Sequence, residues 1–229
     1  MLDTLFSKLY KNRFELFFTG QLLILFGALL VPREVYGTFL MPTLFLFSIV
    51  SGIILIGKKK FYARIFIAIF FLSLILFAVE LANDSEKNIV SLIRFAAYFV
   101  FYIIATVEVI SQVWNAKFVN KNVVVGLMSG YVSLGLLAFF IFASIELSYP
   151  GAFQGSIIDD TSLTSKGDTL LYFGFITLLT IGYGDVVPMI PVAQKATILV
   201  GLCGQFYMVI ITAVVVQKFM SHREMKPPI

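Results

Sequence analysis

Apolar runs long enough to cross a lipid bilayer recur along this chain with hardly any connecting sequence between them. A helix needs about 20 residues at 1.5 Å rise to cross the hydrocarbon core, so uncharged stretches of roughly 18 or more mark spanning helices. Six such helices are predicted, near residues 14–31, 37–57, 61–82, 89–113, 123–149 and 192–220. Composition agrees: 59% of the 229 residues are hydrophobic and 13% are charged. So few charges could not cover the surface of a soluble domain. The expected fold class is an all-α membrane protein with no room for a large soluble domain.

The first apolar run follows Lys8, Lys11 and Arg13, as a signal peptide would. It is too long and lacks a small-x-small cleavage site, so it is read as a retained helix. The only cysteine, Cys203, lies in an apolar run and reads as a small packing residue, with no intrachain disulfide to form. The net charge of +4 carries no nucleic-acid signature.

The loops set the orientation. Lys8, Lys11 and Arg13, then Lys58, Lys59, Lys60 and Arg64, then Lys117 and Lys121, then Lys218, Arg223 and Lys226 all fall on one side if there are six spans. The other side carries Arg33 with Glu34, then Asp84, Glu86 and Lys87, then Asp159, Asp160, Lys166 and Asp168. The positive-inside rule places both termini in the cytoplasm of a plasma-membrane protein. Trp114, Tyr10, Tyr36, Tyr62 and Tyr149 fall near predicted helix ends, as an aromatic belt does. A seventh apolar stretch, near 168–180, is too short to span and must dip in and return on the outer side.

That stretch leads into Thr180-Ile181-Gly182-Tyr183-Gly184-Asp185, with glycines at alternate positions. A helix is predicted over about 168–179, after the turn-rich Ser165-Lys166-Gly167, and Pro188 ends the turn that follows. Glycine permits a partly left-handed backbone, which lets successive carbonyls point one way. Such carbonyls can replace an ion's hydration shell. Irregular backbone is tolerated at membrane depth only inside protein or along a wet cavity. One chain supplies one wall of such a path, so a closed ring of identical chains is expected.

The hexamer resembles the selectivity filter of the potassium-channel superfamily, with Ile181 for the common Val. The run Phe175-Ile176-Thr177-Leu178-Leu179-Thr180 resembles the pore-helix end of bacterial members, and Gly204-Gln205-Phe206-Tyr207 extends the likeness through about 122–220. The resemblance implies a homotetramer of six-helix chains in the lipid bilayer, each with a re-entrant pore helix and filter loop. K+ ions, and no covalent cofactor, would sit in the filter. Residues 1–121 would be a four-helix module and 122–229 the pore domain. Thr180, Ile181, Gly182 and Tyr183 would supply ion-binding oxygens and Gly184 the outer turn. Asp185 would sit behind the outer mouth, bonded to Tyr172. Glu146 would brace the loop after the filter, with an exposed interfacial acid as the plainer reading. Gly204 falls at the family's inner-helix hinge, with Gly201 as a substitute and helix packing as the alternative. Met208, Thr212, Val216 and Met220 recur every fourth residue and would line the inner pore.

Two departures stand out. Leu179 replaces the hydroxyl residue usual before the filter threonine, which puts block by cavity-binding drugs in doubt. Ile176 stands where some relatives carry a buried acid, so inactivation dependent on that acid should be absent.

Voltage-sensing relatives carry Arg or Lys at every third position of helix four. Here Arg94 is the only basic residue between Asn88 and Lys117. One charge crossing the whole field is worth about 2.3 kcal/mol per 100 mV, and steep sensing takes three or four per subunit. Weak or no voltage dependence is expected. Arg94 is expected to pair with Glu80 or Glu86, and Glu108 with a basic cytoplasmic residue, or else to bind lipid or a regulator. His222 lies in a short tail, and no nucleotide- or calcium-binding domain is expected after the last helix. A voltage-modulated channel, a potassium-transporter subunit and a non-conducting regulatory subunit stay open as alternatives, as does an unknown cytoplasmic regulator. An enzyme is not expected: no His/Cys/acid cluster or phosphate loop is visible.

Overall fold

The computed structural model describes residues 9–31, 35–57, 59–82, 87–116, 119–155, 163–211, 213–217 and 220. The chain forms two compact units, one of Met1–Asn115 with Asn120–Gly130 and one of Ala116–Val119 with Tyr131–Ile229. The functional division at residue 121 remains an expectation about roles. The compact units divide inside a helix because its first turns are pinned to the chain's first helix.

The first unit holds α1 (Arg13–Phe26), α2 (Met41–Ile56), α3 (Lys60–Ala82), α4 (Lys87–Trp114) and the start of α5 (Lys121–Ser148). Four helices among the described residues are long and apolar enough to cross a membrane: Lys60–Glu80, Leu92–Trp114, Lys121–Ser148 and Pro191–Gln217. Both of the first two predicted spans depart from plain α-helix. α1 passes into a 3-10 turn at Gly27–Leu29, and a π turn at Tyr36–Leu40 precedes α2. Pro42 explains the second departure. Proline lacks an N–H and its ring crowds the carbonyl four residues back, and a widened turn relieves both. The helical runs then cover 13–29 and 36–56, about 25 Å and about 30 Å at 1.5 Å per residue.

The core of this unit is aromatic. Phe17, Phe66, Phe101 and Tyr102 are fully buried. Phe45 stacks on Tyr98 with centroids 4.6 Å apart. The Tyr102 and Ser48 hydroxyls lie 2.9 Å apart, so a buried polar pair is satisfied internally. Ser129 of α5 donates to Gln21 of α1 at 2.9 Å, and Lys121 pairs with Glu15 at 2.9 Å.

The second unit holds the rest of α5, β1 (Phe153–Gly155), α6 (Leu163–Leu178), β2 (Val186–Pro188) and α7 (Pro191–Phe206). Pro191 opens α7 at a position where its missing N–H costs nothing. A π turn at Tyr207–Ile211 follows α7 directly. The chain is mostly helical, as expected of an all-α membrane protein, and β1 and β2 add one short antiparallel pair, with Phe153 opposite Pro188 and Gly155 opposite Val186. Three-residue strands carry too little alternation to be seen in sequence. α6 starts at Leu163, before Ser165-Lys166-Gly167 rather than after it. An internal glycine costs a helix only about 1 kcal/mol, and Lys166 is held by Glu146 at 3.5 Å. The π turn lies within the last predicted span, where Pro191–Gln217 is long and apolar enough to cross a membrane.

Candidate ion-conduction site

The end of α6 shapes the segment after it. A helix leaves its last four carbonyls without partners inside itself. Here the following chain takes three of them. Leu179 N–H donates to the Phe175 carbonyl at 2.8 Å and Thr180 N–H to Thr177 at 3.0 Å. Ile181 and Gly182 both turn their N–H onto the Ile176 carbonyl, at 2.8 and 3.4 Å. In a trans peptide the carbonyl points opposite to the next residue's N–H. The carbonyls of Thr180 and Ile181 therefore face away from α6.

Thr180, Gly182 and Gly184 have φ of 59°, 57° and 80°. Left-handed backbone thus recurs at every second residue through the segment. Two of the three positions are glycine, and the third is a β-branched residue for which this conformation is strained. Residues 179–184 are all exposed in the single chain, with Tyr183 at 71% and Ile181 at 47%. Leu179 lies on this open strip, whereas Ile176 is buried behind it.

At the far end of the segment, the Tyr172 phenol donates to the Asp185 carboxylate at 2.6 Å. That bond pushes the Tyr172 phenol up to about 12, so it stays a donor at neutral pH. The other Asp185 oxygen accepts the Val186 N–H at 3.1 Å. Glu146 is buried rather than an exposed interfacial acid. Its two oxygens accept the N–H groups of Gly151 and Phe153 at 2.9 and 3.1 Å. Glu146 thus holds β1, and β1 in turn pairs with β2, the strand after Asp185. Gly155 closes this arrangement: a Cβ there would lie 1.9 Å from the Asp185 carbonyl oxygen. Met189 N–H adds a bond to the Ala152 carbonyl at 2.8 Å.

On α7, Gly204 is buried, and a Cβ there would lie 2.3 Å from the Leu178 carbonyl oxygen. Its lack of a side chain is required for packing against the end of α6. Gly201 has nothing within 4 Å of a built Cβ. Met208, Val216 and Met220 are exposed. Thr212 lies outside the described residues. In the first unit, Arg94 is bonded to Glu80, while Glu86 lies outside the described residues. Glu108 accepts from Lys59 at 2.6 Å and from Gln112 at 2.9 Å. The Glu108 carboxylate raises Lys59 above its ordinary value.

Sequence reasoning did not find the shared acceptor at Ile176, the close approach at Gly155, or Tyr131, whose hydroxyl donates to the Leu178 carbonyl at 3.1 Å. The only sequence signal in this loop was its two glycines, Gly151 before β1 and Gly155 at its end.

Residues 133–221 match the Ion_trans_2 family, described as ion channel. The match begins within α5 and takes in α6, the Thr180–Asp185 segment and α7. It supports an ion channel, and the long apolar helices support a multi-pass membrane protein. No curated protein matches the chain. No solved structure matches it.

Proposed function

We propose that this chain is one protomer of a homotetrameric, potassium-selective channel that passes K+ down its electrochemical gradient. The observation that carries the reading is the double bond of the Ile181 and Gly182 N–H groups to the Ile176 carbonyl. It turns the Thr180 and Ile181 carbonyls to an exposed strip. Lipid cannot cover that strip, because irregular backbone in hydrocarbon leaves its polar groups unsatisfied. Three further copies of the strip would close a ring of oxygens suited to a dehydrated ion. Thr180, Ile181, Gly182 and Tyr183 would bind K+, with Gly184 forming the outer turn. Met208, Thr212, Val216 and Met220 would line the path below, and Gly204 or Gly201 would bend the inner helix.

Six spans with both termini in the cytoplasm of a plasma-membrane protein fit the helical runs at 13–29 and 36–56 together with the basic loops. Weak voltage dependence fits the fourth helix, where Arg94 is already neutralised by Glu80. The test is the reversal potential of purified protein in planar bilayers, with potassium on one side and sodium on the other. A value near the potassium equilibrium potential, lost in Gly182→Asp, is expected. Non-selective current from the wild type would overturn potassium selectivity. Absence of current at every voltage would favour a non-conducting subunit.

A further inference from the structure

One of the last four carbonyls of α6 is not taken by the following chain. Leu178 is buried, and its carbonyl accepts the hydroxyl of Tyr131, in α5, at 3.1 Å. The same oxygen faces Gly204 of α7, where a Cβ would come within 2.3 Å. Two helices therefore converge on the peptide that joins the end of α6 to Leu179 and Thr180. The N–H of that same peptide belongs to Leu179 and is bonded to the Phe175 carbonyl at 2.8 Å. Tyr131 and Phe175 thus fix the peptide from both ends. Just beyond lies Thr180, held at a φ of 59°. A strained residue keeps its conformation only where its surroundings hold it.

Tyr131 also touches the inner helix. Its ring lies 5.5 Å from the ring of Tyr207, at an interplanar angle of 42°. Tyr207 is the first residue of the π turn Tyr207–Ile211, and its N–H is shared between the Cys203 and Gly204 carbonyls. The helix changes its hydrogen-bond register here, immediately below the point where Gly204 anchors it. π turns of this kind within α-helices are frequent at functional sites.

We propose that Tyr131 is a positioning residue for conduction. Its hydroxyl caps the last carbonyl of the pore helix and its ring rests on Tyr207. Movement of the inner helix at the π turn is thereby passed to the base of the filter. Gly204 is the fixed point and Tyr207 the moving contact. The inference rests on the channel reading above.

The experiment is single-channel recording of wild type, Tyr131→Phe, Tyr207→Leu and the double variant in planar bilayers. Wild-type current reversing near the potassium equilibrium potential tests the channel reading by itself. The four-way comparison tests only the coupling. Tyr131→Phe should shorten mean open time by about fivefold, the size of one ordinary hydrogen bond. Tyr207→Leu should shorten openings too, and adding it to Tyr131→Phe should give little further change, because both act on one contact path. Wild-type openings in Tyr131→Phe, or effects that multiply in the double variant, would overturn the proposal. Tetramer melting in K+ and in Na+ gives a second readout. Tyr131→Phe should reduce the extra stability conferred by K+ while leaving the melt in Na+ near wild type. An equal drop in both ions would mark a merely structural role. Should Tyr131→Phe not assemble, Tyr207→Leu alone decides, and wild-type openings there would overturn the coupling.

Discussion

The phenol of Tyr172, on α6, donates to the carboxylate of Asp185, just beyond the glycine run, at 2.6 Å. The two residues are brought together by the return of the chain after α6. Their bond fixes how far the Asp185 end of the Thr180–Asp185 segment stands from α6. Tyr172→Phe should lower the melting temperature of the purified protein and, on the channel reading, speed the loss of current during sustained recording. The pH dependence has a definite sign. The Tyr172 phenol is raised from tyrosine's ordinary value to about 12, so the bond contributes fully below about 10. Its contribution is lost as pH rises through about 12. Melting of the wild type followed from neutral to alkaline pH should fall in that window, and Tyr172→Phe should show less of the fall.

Gly155 has no room for a side chain. A Cβ would sit 1.9 Å from the Asp185 carbonyl oxygen and 2.9 Å from Val186 Cα. Gly155→Ala must force β1 and β2 apart, at a cost of about 1–3 kcal/mol per protomer. Chemical denaturation of the purified protein should show that loss. On the channel reading, current should fall with it, since β2 continues directly from Asp185.

Gly182 presents the opposite case. Its built Cβ meets nothing within 4 Å in the protomer, but its φ is 57°. Gly182→Ala is opposed by conformation and should cost about 1–2 kcal/mol per protomer. The reversal potential should move away from the potassium equilibrium value. An unchanged value would mean that the segment tolerates a side chain where its carbonyl path needs none.

Arg94 and Glu80 are largely shielded from solvent, with side chains 12% and 21% exposed. Arg94→Gln leaves Glu80 without that counterion and should destabilise the protein by about 1–3 kcal/mol, less than for a fully buried pair. Arg94→Gln with Glu80→Gln should recover part of the loss. The steepness of open probability against voltage should change little in either variant. A marked flattening on losing Arg94 would mean that this single charge senses the field.

How far the sequence reaches can be judged residue by residue. The apolar runs, the basic loops and the alternation Gly182, Gly184 are local patterns, legible because each reports a property of neighbouring residues. Left-handed backbone at both glycines follows from that alternation. The same conformation at Thr180 does not, because nothing local favours it in a β-branched residue. It follows from bonds to Ile176 and Thr177 that only the folded chain supplies. Ser165-Lys166-Gly167 reads as a turn by composition but is helical, since the ion pair of Lys166 with Glu146 and the packing of α6 outweigh a small propensity cost.

By itself the sequence determined that the chain is built of apolar helices, which one stretch is too short to span, and where glycine frees the backbone. These depend on hydrophobic run length and on single-residue conformational limits, and both are written in consecutive positions. Tertiary structure decided which oxygens turn away from α6, that Gly155 and Gly204 serve close approach, that Glu146 grips β1, and that Tyr131 completes the end of α6. The approaches of Gly155 to Asp185 and of Gly204 and Tyr131 to Leu178 join residues far apart in the chain, while the bonds to Ile176 and Glu146 join near neighbours that meet only in the folded backbone. Such contacts depend on how buried donors and acceptors find partners once the helices pack, and no local pattern encodes that pairing.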